Sequence, residues 1–319
     1  MSMSNESELP QSIWDDLTES VAYIRYQFAV NKIRLVKDQG ITRALDEAAS
    51  LGRGQPEGSF DVAKPLLKSV EEVHVVLAFA RDLRICVQHG LPVGPHLRRM
   101  TSGSTDFGVP ATPNERSFFF KDFETELFVA ATLVQAALPV RFLENDSDPR
   151  GEMEVEGLLI EVKHPDSPSS TLRHLTKFSN KLRRFKELGF FIRSIEDAFG
   201  LAWGRGLIAS AVNGECEEQK LDEMERNGLD AARHASRLGN ILGLASLASH
   251  PEVVGNASRF TRKGSSVVFD EVAERRGRVD LVKRIASALG NTPAKWSDID
   301  ARIVSDRWGV GQHDLECTG

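Results

Sequence analysis

The chain has 319 residues, 41% hydrophobic and 27% charged, which is the composition of an ordinary globular protein with room for two modest domains or one enzyme domain with extensions. Its net charge of −6 excludes a generic polyanion-binding surface but leaves room for a local basic patch that binds nucleic acid. No apolar run approaches the roughly 18 residues that span a bilayer, the polar start MSMSNESELPQS lacks a signal-peptide pattern, and three scattered cysteines suggest neither a disulfide framework nor a zinc site, so a cytoplasmic protein without membrane contact is expected.

Residues 12–50 are expected to be helical, because Ile13, Leu17, Val21, Ile24, Phe28, Ile33 and Val36 recur at helical spacing with charges between them. The Gly- and Pro-rich stretch 51–60 reads as a loop. Helical periodicity resumes over 61–89, and four prolines in 90–114 mark a linker to the next segment. Residues 118–137 then form an amphipathic helix candidate with Phe123, Leu127, Ala130, Ala131, Val134 and Leu138 on its apolar face. Val140–Leu143 reads as a strand. Two more short strands follow, 152–155 and 158–163, and a basic helix runs from about Ser169 to Leu188, stopped by Gly189. Residues 215–248 read as a long helical tract and 270–305 as two or three shorter helices. The expected organisation is a helical N-terminal region (1–113), an α/β core with a mixed sheet (114–214) and a helical C-terminal extension (215–319).

The chemistry concentrates in Gly151-Glu152-Met153-Glu154-Val155-Glu156-Gly157-Leu158-Leu159-Ile160-Glu161-Val162-Lys163. With Glu156-Gly157 as a two-residue hairpin turn, Val155 pairs with Leu158, Glu154 with Leu159, Met153 with Ile160 and Glu152 with Glu161. Alternation then puts Glu152, Glu154, Glu161 and Lys163 on one face and Met153, Val155, Ile160 and Val162 on the other. Opposed like charges are destabilising, and a carboxylate-binding ion such as Mg²⁺ or Mn²⁺ would neutralise them. Phosphodiester hydrolysis needs such a charge together with an activated water, and a nearby ammonium offsets the developing negative charge. His164 falls on the opposite face by alternation and reads as structural.

Helix, strand, hairpin and basic helix in this order resemble the restriction-endonuclease-like PD-(D/E)XK nuclease superfamily over about residues 118–190. The resemblance implies a restriction-endonuclease-like core and a Mg²⁺- or Mn²⁺-dependent endonuclease acting on nucleic acid, DNA in preference to RNA. Glu161-Val162-Lys163 matches the Glu-x-Lys element, so Glu161 is implied as metal ligand and Lys163 as catalytic lysine. The superfamily's first acid is usually Asp, often after Pro; here Glu152 follows Gly151, with Glu154 and Asp148 as alternatives. Glu126 is favoured over Glu124 as the helix acid and third ligand. Arg173, Lys177, Lys181, Arg183 and Arg184 on the following helix would contact phosphates, and the helical regions offer surfaces for self-association.

A Glu-x-Lys tripeptide arises about once by chance in a chain of this size, and Glu218-Gln219-Lys220, in a polar helical stretch, is such a match. Gly204-x-Gly206-x-x-Ala209 lacks the strand of a dinucleotide-binding turn, and Lys263-Gly264-Ser265 lacks the upstream glycine of a P-loop. Val282–Ile299 has a helix-turn-helix look that two packed helices also give. Two other functions stay open: a nuclease fold with a degenerate site that binds nucleic acid or serves assembly, and a helical interaction protein whose α/β element only scaffolds.

Overall fold

A computed structural model of the protein describes residues 11–36, 40–53, 64–101, 119–143, 151–165, 167–195, 214–254, 257–290 and 293–299. The helices are α1 (Gln11–Val30), α2 (Gly40–Arg53), α3 (Lys64–Gln88), α4 (Gly94–Met100), α5 (Phe119–Gln135), α6 (Pro168–Phe185), α7 (Gly214–Leu238), α8 (Asp270–Arg275) and α9 (Val279–Leu289). The strands are β1 (Val140–Phe142), β2 (Met153–Val155), β3 (Leu158–Lys163), β4 (Gly189–Ser194), β5 (Ile241–Val254), β6 (Ala257–Val268) and β7 (Ala294–Lys295). They form one mixed sheet in the order β1-β2-β3-β4-β5-β6-β7. The hairpin β1-β2-β3 is antiparallel, β3, β4 and β5 run parallel, β6 turns back on β5, and β7 lies parallel to β6.

The architecture is α/β in three layers. Met153, Val155, Leu158, Ile160, Val162, Phe190 and Ile192 share a buried cluster with residues of α1 to α5 and α9. Leu159, Phe191 and Leu244 face the other way, against Leu175, Phe178 and Leu182 of α6 and Ala231, Ala232 and Ala235 of α7. Two helical layers therefore sandwich β3 and β4, and strands buried on both faces carry unbroken apolar runs. The crossovers β3-α6-β4 and β4-α7-β5 are the connections that parallel neighbours require.

Several expectations need correction. The tract 12–50 divides into α1 and α2, and the Pro-rich linker contains α4, which starts at Gly94-Pro95, where a proline costs the first turn nothing. The C-terminal region is not a helical extension. Helix α7 ends at Leu238, Gly239 takes a φ of +73°, and β5 to β7 complete the sheet. Ile241–Leu247 misled the periodicity because every one of its residues is buried, which removes the alternation that marks a half-exposed strand. In 282–299 the two-residue strand β7 stands between α9, whose Leu281, Val282, Ile285, Ala286 and Leu289 are core, and a short helical stretch at 296–299. Gly264 sits in β6, where a Cβ would stand 2.0 Å from the Leu289 carbonyl oxygen, so glycine is needed for the backbones of β6 and α9 to cross. Gly204 and Gly206 lie outside the described residues, among which no helix is long and apolar enough to cross a membrane.

Candidate active site

The hairpin that builds the site has the expected register, with Met153 opposite Ile160, Glu154 opposite Leu159 and Val155 opposite Leu158. Its turn residues Glu156 and Gly157 both take positive φ, +49° and +79°, the geometry that suits the twist of a two-residue hairpin. The turn is clamped from α9 and the residue before it: Arg278 donates to the Glu156 carbonyl at 3.1 Å, and Arg284 meets the Glu156 carboxylate at 3.2 Å. Glu152 precedes β2, where its N–H donates to the Ile160 carbonyl at 3.2 Å. That bond places its side chain beside the end of β3.

Glu152, Glu161 and Lys163 converge. The Lys163 ammonium pairs with Glu152 and lies 3.4 Å from Glu161, while the Val162 N–H donates to the second Glu152 oxygen at 3.1 Å. Lys181 of α6 donates to both oxygens of Glu161, at 2.9 and 2.8 Å. The charge of Glu126, on α5, reaches both Glu152 and Lys163. Its carboxylate lies 3.0 Å from His96 Nε2 of α4, and both side chains are buried.

Burial first, and then the charge of Glu161, pushes the Glu152 carboxyl up to about 8 in spite of Lys163. Burial alone would also raise Glu161, but the ammonium groups of Lys163 and Lys181 outweigh it and hold that carboxyl below the usual range. Burial works against the charged form of Lys163, yet Glu152 and Glu161 prevail and keep it above the ordinary ammonium range. His174, half-buried on α6, is held down by burial and then by Lys163, Arg173 and Lys177.

Other sequence candidates go elsewhere. Glu154 pairs with Arg141 of β1, and Asp148 lies outside the described residues. Glu124 is buried on α5. Of the basic residues on α6, Arg173 and Lys177 are exposed, Lys181 serves Glu161, Arg183 caps α7 by donating to the Leu238 carbonyl at 3.1 Å, and Arg184 stacks over Phe185. His164 bonds Thr125 of α5 at 2.8 Å, away from Lys163. Sequence reasoning missed His96, hidden in a Pro-rich segment that gave no pattern. It also missed His174, whose spacing of seven residues from Lys181 puts both on one helix face.

The donor set suits a hard divalent cation in kind: carboxylate oxygens, removed from water, whose mutual repulsion is now relieved by the Lys163 ammonium. Among the described residues, no three His, Cys, Asp or Glu side chains stand close enough to enclose an ion. Mg²⁺ usually needs only one or two carboxylates, with water and substrate phosphate completing its shell. Glu152 and Glu161, with Glu126 behind, meet that requirement. Comparison with protein-family models, characterised proteins and solved structures returns no match for this chain.

Proposed function

We propose that the protein is a metal-dependent nuclease that hydrolyses phosphodiester bonds, DNA before RNA, on a core of the restriction-endonuclease type. The observation that carries this reading is the convergence of Glu152, Glu161 and Lys163 at the ends of β2 and β3, with Glu126 acting on them from α5. Glu152 and Glu161, with Glu126 behind them, would hold Mg²⁺ or Mn²⁺, which when bound supplies positive charge to the transferring phosphoryl group and lowers the pKa of water. Lys163 remains an ammonium at neutral pH, so it orients water and offsets negative charge on the phosphate rather than acting as a base. Lys181 fixes the Glu161 carboxylate and thereby the position of Lys163. Arg173 and Lys177 stand exposed on the same helix and are placed for backbone phosphates.

A second reading is favoured by the ion pair between Lys163 and Glu152: a binding module of the same fold that does not cut. Cleavage of supercoiled plasmid, linear DNA and RNA by wild type and Lys163→Ala, each with Mg²⁺, Mn²⁺ or EDTA, separates the two. Metal-dependent cutting that drops at least a hundredfold in the variant is the expected result. Equal nucleic-acid binding in EDTA without any cutting would establish the binding module instead.

A further inference from the structure

Arg193 is the largest fully buried side chain among the described residues, 1% exposed, and its charge is unanswered. It stands on β4 in register with Lys163 of β3 and with Ser246 of β5, so the three share one face, at the carboxyl ends of β3 and β4 and within β5. Its Nε donates to Ser246 Oγ at 2.8 Å and its Nη1 to Asn227 Oδ1 of α7, both neutral acceptors. Among the described residues no carboxylate pairs with it, and Nη2 has no acceptor. Burial lowers its pKa to about 10, a shift that an adjacent carboxylate would oppose. Neutral acceptors do not discharge a buried guanidinium, and an unpaired buried ion is costly until a counter-ion joins it. Beside Nη2, helix α7 carries Gly228, where a Cβ would stand 3.7 Å away, in ordinary van der Waals contact.

We propose that Arg193, with the Ser246 hydroxyl and the neighbouring Lys163, forms an oxyanion subsite that takes a phosphate group of the nucleic-acid substrate one strand away from the proposed hydrolytic centre. The guanidinium's planar N–H fork matches two oxygens of a phosphate, and Ser246, which accepts from Nε, keeps its own O–H to donate. A divalent cation held by Glu152 and Glu161 would add positive charge beside Lys163, Lys181 and Arg193, and an incoming phosphate group would offset part of it. The assignment to substrate rests on the nuclease reading; the anion site does not.

The test uses the full chain in EDTA, with thermal melting and calorimetry against inorganic phosphate and against short oligonucleotides with and without a 5′-phosphate. Asn227→Asp places a carboxylate against Nη1 at unchanged size and answers the charge in place. It is expected to melt at or above wild type without phosphate and to bind phosphate at least tenfold more weakly. Arg193→Gln is expected to lose the phosphate response as well; should it not fold, Asn227→Asp carries the test. No phosphate response in wild type, or an undiminished response in Asn227→Asp, would overturn the site. In cleavage, Asn227→Asp should raise KM about tenfold and leave kcat within a few-fold. An unchanged KM would overturn the assignment to substrate, whereas phosphate binding in a protein that cuts nothing would sink the nuclease reading and leave the anion site standing.

Discussion

Glu152 is the residue on which the chemistry turns, because its carboxyl is held up to about 8 by burial and Glu161. Between its unfolded value near 4.5 and about 8, the folded state binds the proton more tightly than the unfolded chain. That contribution to stability is present at low pH and is lost as pH rises through the window. Glu161, held low, acts in the opposite sense and only below the normal carboxylate range, and Lys163, held high, only above the normal ammonium range. Melting of wild type and Glu152→Gln from pH 5.5 to 8 should therefore show the wild type losing stability relative to the variant as pH rises. A constant difference would show that Glu152 does not titrate there. The cluster was legible in sequence because alternation around Glu156-Gly157 fixes which side chains share a face. Which acids matter was less so. Glu154 lies on the right face but pairs with Arg141, and the partner of Glu126 is a histidine some thirty residues earlier in the chain, a distance no local pattern spans.

Element by element, α6 is what sets Lys181 against Glu161, and its start is well specified. Ser167 Oγ accepts the Ser170 N–H at 3.3 Å while Ser170 Oγ accepts the Ser167 N–H at 3.3 Å, a capping box followed by proline in the first turn. Ser167→Ala should cost about 1 kcal/mol, read by chemical denaturation. Gly264→Ala should cost more, roughly 3 kcal/mol, because the atom its Cβ meets is the Leu289 backbone carbonyl and cannot rotate away. A cost below about 1 kcal/mol there would mean that β6 and α9 are not so closely apposed. The hairpin, α5 and α6 could be read directly from period, turn and cap. Strand β5 could not, since enclosure between α7 and the opposite layer buries every residue of Ile241–Leu247 and erases its phase.

For the whole molecule, the segments that the sequence divided into three share one core. Helices α1 to α5 pack with β2, β3 and β4 and with α9 in a single buried cluster, and α4 reaches the site itself through His96. The N-terminal region is therefore part of the enclosure of Glu126 and not only an appended surface. His96→Ala should accordingly weaken metal-dependent activity through Glu126, about tenfold, with His96→Gln restoring part of it; equal activity in all three proteins would separate α4 from the chemistry. The most direct test of the site as a whole is a Mn²⁺ titration followed by electron paramagnetic resonance, with wild type, Glu161→Gln and Glu152→Gln at pH 7 and 8. Wild type should bind Mn²⁺ more tightly at the higher pH, as Glu152 gives up its proton, and both variants should lose at least tenfold in affinity. Wild-type protein that takes up no Mn²⁺, or variants that bind it as wild type does, would contradict a metal centre at Glu152 and Glu161.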